Sequence, residues 1–177
     1  RFEILQSGLL NHHLPLWSDS YLGGFPIAFS EFGWFYPISW FFLFLFPMPL
    51  AYHIEAAIGL LLAAVSTYLL GRAWGMSRMS AFVGGYTYAL SPFVFATSLF
   101  INFADVFWVL PATLLALERV AQRHYQYLVL FVVAAAAGIL SGHPHIVLVL
   151  AFAASIFTVF RVSWVIRDHG FLVATGF

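Results

Sequence analysis

The carboxylates of this chain are its clearest candidates for chemistry, because the sequence around them carries almost no charge. Of the 177 residues, 63% are hydrophobic and only 8% are charged. Asp19 and Glu31 lie in a stretch rich in aromatic residues, glycine and proline, and Asp105 lies just ahead of an apolar run. A carboxylate can take a proton from a hydroxyl group or hold a divalent cation against a phosphate. We therefore take Asp19, Glu31 and Asp105 as the candidate catalytic residues, with a divalent cation as the one cofactor left open.

Other roles for the carboxylates compete with catalysis. Asp19, in "WSDSYLGG", can instead hydrogen-bond the amides of a turn. Glu31 can equally be a solvated residue at the rim of its loop. Glu55 is predicted to be a helix-start residue rather than part of a site, because an acidic side chain is favourable in the first turn of a helix.

Asp105 is distinguished by the short length of the uncharged run after it. This run, from Val106 to Leu117, has 12 residues, which is about 18 Å of helix and too short to cross a hydrocarbon core of roughly 30 Å. The helix must therefore begin before Asp105, or the preceding turn must dip below the membrane surface. In either case Asp105 and Asn102 lie at or below the headgroups, where ionisable side chains usually face a bundle interior or a cavity.

Histidine and aromatic residues supply the candidate binding groups. His143 and His145 flank Pro144 at a predicted turn, without further ligands at metal-binding spacing. We predict that they contact a phosphate at the lipid headgroup, and we predict no metal site. Trp17 and Tyr36 are predicted to contact substrate through their aromatic rings. The chain has no cysteine, so disulfides and thiol chemistry are excluded.

The elements that carry these residues are predicted to be membrane helices. The composition is far more apolar than that of soluble domains, and the net charge of zero gives no argument for a nucleic-acid partner. The fold class predicted is all-α, a polytopic transmembrane helical bundle. Its candidate helices are 36–49, 54–71, 79–97, 103–118, 125–142 and 146–161, with a truncated one from 170.

The arginines predict the orientation of this bundle. Six of the seven fall in the segments 72–78, 119–123 and 161–167, and arginine marks cytoplasmic loops. If these three segments are cytoplasmic, the turns near 98–104 and 142–146 are external.

The first 50 residues are predicted to form a separate unit. Prolines at both ends of 36–49 leave about ten helical residues, roughly half a bilayer, and the aromatic content suits an interfacial helix. A short tilted span is the alternative. Because 1–13 has an amphipathic pattern, we expect 1–50 to be an external, membrane-apposed loop with interfacial helices. Residues 51–177 then form a bundle of about five full spans plus a truncated one. Since the chain starts at Arg1, we expect a fragment of a longer protein.

An ordered set of motifs resembles a known family. "LLNHHLPLWSDSYLGGFPIAF…FYP" resembles the first external loop of YfhO-type bacterial membrane proteins. "YLLGRAWGMSRMSAFVGGYTYALSPF" is similar to the helix, arginine-bearing loop and Ser-Pro helix that follow in that family. "LPATLLALER" and "LSGHPHIVL" resemble its later signatures. The similarity extends over nearly the whole chain, in the family's order.

The resemblance implies a function. YfhO-type proteins are similar to the GT-C superfamily of membrane glycosyltransferases, which implies transfer of a sugar from a polyprenyl-phosphate carrier to a glycan, lipid or protein acceptor. It also implies a multi-pass protein of the bacterial inner membrane with 1–50 outside, and a main catalytic Asp upstream of Arg1. A transporter or channel, or a non-catalytic membrane protein, is the alternative. Against a transporter, the carboxylates gather towards one face and no inverted repeat is visible.

Overall fold

The fold is helical, as predicted, apart from one short hairpin. The computed structural model describes residues 16–18, 23–26, 33–98 and 100–174, and their side chains except those of 18, 101, 102, 162 and 165–174. The hairpin pairs β1, Trp17–Ser18, with β2, Phe25–Pro26, in antiparallel register. It lies within the predicted external loop, in a part for which the sequence predicted neither a helix nor a strand.

The other regular elements of the described chain are eight α-helices and one 3₁₀ turn. They are α1 Pro37–Leu45, α2 Met48–Ala73, α3 Arg78–Ala89, α4 Pro92–Thr97, α5 Ile101–Phe107, α6 Val109–Ala121, the 3₁₀ turn Tyr125–Tyr127, α7 Leu128–Leu140 and α8 Pro144–Ala174.

Two helices predicted to be continuous are broken. The break within 79–97 falls at Ser91, whose Oγ accepts from the Val94 N–H at 3.4 Å and so caps a new helix that opens with a proline. The break within 103–118 falls at Trp108, ahead of Pro111. Proline has no N–H for the carbonyl of Phe107, four residues earlier. The Tyr88 hydroxyl donates to that carbonyl instead, at 2.8 Å.

Two other helices are longer than predicted. Helix α2 begins at Met48 rather than near 54 and has 26 residues, because Pro49 in its first turn is compatible with the start of a helix. Helix α8 continues without a break to Ala174, so no separate helix starts near 170. Met48–Ala73 and Pro144–Arg161 are long and apolar enough to cross a bilayer, by length and composition.

Helix α2 is the centre of the fold and packs against α1, α3, α5 and α6. Its buried face carries small residues roughly one turn apart, among them Ala51, Gly59 and Ala63. Small side chains allow helix backbones to approach closely. At Gly59 the approach is closest, because a Cβ there would collide with the backbone carbonyl of Ala104 in α5.

Candidate functional site

The first residue of the candidate site is Glu55, a buried carboxylate that the sequence predicts at a helix start. Glu55 lies seven residues after Met48, the first residue of α2, and is 1% exposed. Its Oε1 accepts a hydrogen bond of 2.6 Å from the Ser39 hydroxyl in α1. The prediction that Glu55 is a helix-start residue is therefore wrong. A carboxylate withdrawn from water needs polar partners, since burial without them is costly.

Tyr36 connects this pair to the break between α5 and α6. It directly precedes α1 and is 2% exposed. Its hydroxyl accepts from the indole N–H of Trp108 at 3.4 Å, and its backbone carbonyl accepts from the Ser39 N–H at 3.2 Å. Tyr36 is thus a buried link between helices, rather than an aromatic residue exposed at the interface.

Asp105 lies in α5, the helix that packs on α2 beside the Ser39–Glu55 pair. This short helix starts at Ile101 and is separated from α6 at Trp108, so the single helix predicted to extend past Asp105 does not form. Asp105 is 2% exposed, as expected for an ionisable residue that faces a bundle interior. It directly follows Ala104, the residue against which Gly59 packs, and Gly59 lies one turn after Glu55 in α2. Two buried carboxylates therefore lie on adjoining parts of α2 and α5.

These contacts connect α1, α2 and α5 in a closed series. Trp108 contacts Tyr36, which leads along α1 to Ser39 and Glu55. Glu55 leads along α2 to Gly59, which packs on Ala104 beside Asp105. The close approach of the backbones fixes these elements relative to one another.

The two histidines differ in their surroundings. His143, directly ahead of α8, is buried, and its ring centroid lies 4.5 Å from that of Phe103 in α5. His145 is exposed, with its ring 5.3 Å from that of His143. His143 is therefore packed against the helix that carries Asp105. The phosphate contact predicted for this pair stays a prediction.

The remaining candidates lie in the hairpin or outside the described residues. Trp17 lies in the hairpin with 58% of its side chain exposed, over Gly24. Gly24 has φ +121°, and a Cβ there would lie 2.9 Å from Cζ2 of Trp17, so the turn requires glycine at this position. Asp19 and Glu31 lie outside the described residues, and the side chain of Asn102 does too.

A second polar network lies at the other end of the bundle. Arg161 of α8 binds Glu118 of α6 through Nε at 2.9 Å and through Nη2 at 3.0 Å. The Gln122 amide donates to Glu118 at 2.7 Å and to the carbonyl of Ala73 at 3.2 Å. Ala73 lies 18 residues after Glu55 in α2, a separation of about 27 Å. The three arginine-bearing segments therefore meet at one end, opposite the buried carboxylates.

The first network has the chemistry of a hydroxyl-binding or cation-binding site. Carboxylate oxygens accept from hydroxyl groups and bind hard cations. In the described part of the chain, no three histidine, aspartate or glutamate side chains are grouped in a way that can hold a metal ion.

No family model, curated protein or solved structure matches this chain. What the site does is therefore inferred from its residues and their chemistry. Asp105 and Tyr36 were candidates from the sequence, whereas Glu55 was assigned to a helix start and Ser39 was not a candidate. The sequence did carry a signal for Glu55. Between Glu31 and Asp105 the charged residues are Glu55 and the arginines at the end of α2 and the start of α3, so Glu55 is the one acidic residue there.

Proposed function

We propose that this chain is a GT-C-like membrane glycosyltransferase, which transfers a sugar from a polyprenyl-phosphate carrier to an acceptor on the outer face of a bacterial inner membrane. The observation that carries the proposal is the pair of buried carboxylates, Glu55 and Asp105, at the end of the bundle opposite the arginines. The ordered motifs that resemble YfhO-type proteins also support it.

In this proposal the chain is a multi-pass bundle. Two helices have the length and apolar composition of membrane spans, and Tyr125–Leu140 is a shorter apolar helical segment. The arginine-bearing end is cytoplasmic, in keeping with the bias of arginine towards cytoplasmic loops. The carboxylate end is then external, where the carrier's phosphate and sugar lie within reach.

Asp105 is the proposed general base, and Glu55 holds it in place by fixing α2 against α1. The base removes the proton from the acceptor hydroxyl as its oxygen attacks the anomeric carbon of the sugar. The bond from that carbon to the carrier phosphate breaks, and the phosphate leaves with the bonding electron pair. His143 and His145 are proposed to contact the phosphate of the donor, and the exposed Trp17 ring is proposed to contact its sugar.

The test is sugar transfer by the full chain in proteoliposomes, with a panel of radiolabelled polyprenyl-phosphate hexoses. Asp105→Asn should lower the transfer rate by about 10²–10⁴-fold, the usual contribution of a general base. Asp168→Asn is the matched control, because it makes the same chemical change in the part of α8 beyond Arg161 and should leave the rate unchanged.

An Asp105→Asn protein with the wild-type rate would remove Asp105 from the proposal. Absence of transfer with every donor, together with solute uptake by the same vesicles, would favour a transporter instead.

A further inference from the structure

We propose that a cleft at the arginine-bearing end of the bundle binds the phosphate group of a membrane phospholipid. The cleft has a volume of about 760 Å³ and lies between the end of α2, α6 and α8. Its lining includes Trp74, Glu118, Phe157, Arg161 and Trp164. The inference depends on the proposed membrane placement, and it is independent of the proposed transfer reaction.

Arg161 is the group that recognises the phosphate. Its Nε and Nη2 donate to Glu118, whereas Nη1 makes no hydrogen bond to any described residue. The Arg161 side chain is 27% exposed, while that of Glu118 is 5% exposed. The guanidinium therefore keeps donors on its cleft side, and the planar guanidinium group suits phosphate oxygens. The Glu118 carboxylate fixes the orientation of the Arg161 guanidinium through these two hydrogen bonds.

The position of the cleft along the helices matches the depth of a lipid headgroup. Helix α2, which has the length and apolar composition of a membrane span, ends at Ala73, and Ala73 lines the cleft. A span that ends at a residue places that residue at the boundary between hydrocarbon and headgroups. Trp74 and Trp164 are both about half exposed at this level, as is typical of tryptophans at a membrane interface.

The aromatic wall favours a phospholipid over a free anion. The Trp74 and Phe157 rings lie 6.2 Å apart, and the Phe160 and Trp164 rings lie 6.3 Å apart. These rings give apolar surface beside the guanidinium, which a free phosphate cannot use but the glycerol and first acyl carbons of a lipid can. The other arginines at this end attract anionic headgroups towards the cleft.

The test measures phospholipid bound to the full chain. The protein is delipidated in detergent, mixed with phosphatidylglycerol, and analysed by native mass spectrometry. The double variant Glu118→Gln/Arg161→Gln removes the cation without leaving a buried unpaired carboxylate. It should retain about fivefold less lipid than wild type, the equivalent of roughly 1 kcal/mol for one arginine near the surface. Arg78→Gln is the control, since it removes a guanidinium at the same end but outside the cleft; it lowers the net charge by one, whereas the double variant leaves the net charge unchanged.

A second variant covers the case in which the double variant fails to fold. Trp74→Leu keeps the ion pair and should also lower lipid retention. Equal retention by the folded double variant or by Trp74→Leu overturns the proposal. An equal loss in Arg78→Gln overturns it too, because the attraction would then belong to the whole surface. If sn-glycerol 3-phosphate displaces the lipid at matched concentration, the cleft recognises free phosphate and the lipid assignment is wrong.

These outcomes are separate from those of the transferase test. Trp74→Leu changes no residue of the carboxylate site, so its sugar transfer should equal that of wild type. Lipid binding without any sugar transfer would leave this inference in place while removing the proposed function.

Discussion

The hydrogen bond from Ser39 to Glu55 joins two helices at a sharp corner of the chain. Helix α1 ends at Leu45 and α2 starts at Met48, with Pro47 between them in an extended conformation. The corner brings the two side chains together across 16 positions of sequence. Because Glu55 is buried, the Ser39 hydroxyl contributes more to stability than a surface hydroxyl would.

Ser39→Ala should therefore destabilise the protein. The change removes a donor from a buried carboxylate, and such losses cost about 1–3 kcal/mol. The measurement is the midpoint of thermal or denaturant unfolding in detergent. Ser155→Ala is the matched control, because the Ser155 hydroxyl donates to the Ala151 carbonyl on an exposed face of α8, and its effect should stay within about 0.5 kcal/mol. Equal shifts in the two variants would contradict a special role for the Ser39–Glu55 bond.

Residue-level features of the site were only partly predictable. The burial of Asp105 followed from the length of the uncharged run after it, a property of the local sequence. The burial of Glu55 did not follow from the sequence. The uncharged run predicts a helix start near 54, whereas Pro47 and Pro49 set the start of α2 at Met48. The Ser39 partner depends on how α1 folds back on α2, and no local pattern specifies that.

At the scale of elements, prolines account for most differences between predicted and observed helices. The apolar runs correctly located the helical segments of the described chain, since hydrophobicity over a window is a strong signal. The breaks at Ser91 and Trp108 depend on single residues, a capping serine before Pro92 and the missing amide of Pro111. The 3₁₀ turn at Tyr125–Tyr127 was likewise included in a predicted helix.

Small-residue motifs are harder to read because they depend on a partner. Ser80 and Gly84 have the spacing of small residues that permits close helix approach, but a Cβ at Gly84 would meet nothing within 4 Å. The contact is made one residue later, where Gly85 packs against the backbone of Ala64 in α2. One residue turns the helix face by about 100°, so the spacing alone cannot tell which glycine is packed.

Gly59→Ala and Gly84→Ala should accordingly have opposite effects. An alanine at Gly59 must push α2 away from Ala104 of α5, because backbone rather than a flexible side chain is in the way. Overpacking of this kind costs typically 1–3 kcal/mol. An alanine at Gly84 has open space and should be neutral or stabilise α3 by up to about 1 kcal/mol.

The two glycine variants are compared by unfolding in the same detergent and by sugar transfer. Gly59→Ala should also lower transfer, since it moves the helix beside Asp105. Greater loss of stability in Gly84→Ala than in Gly59→Ala would contradict the close packing of α2 and α5.

At the scale of the whole molecule, the two polar networks lie at opposite ends of an apolar bundle. One end holds the carboxylates Glu55 and Asp105, and the other holds the Glu118–Arg161 pair with the neighbouring arginines. Large apolar side chains such as Phe44, Phe82 and Phe152 are exposed between and around them. Exposed apolar surface of this extent is unfavourable in water and suits contact with lipid or with other helices. The separation of charge therefore gives the molecule a direction across the proposed membrane.

That direction can be measured directly because the native chain has no cysteine. Phe100→Cys places a thiol at a 68% exposed position near the carboxylate end, and Tyr125→Cys places one at a 64% exposed position near the arginine end. In intact cells, a membrane-impermeant maleimide should label Phe100→Cys, whereas Tyr125→Cys should react only after permeabilisation. The cysteine-free parent is the control for background. The reverse pattern would place the carboxylates on the cytoplasmic side and exclude transfer at the outer face. Labelling of both thiols in intact cells would mean that no membrane separates the two ends, and the transferase and lipid proposals would then both lose their basis.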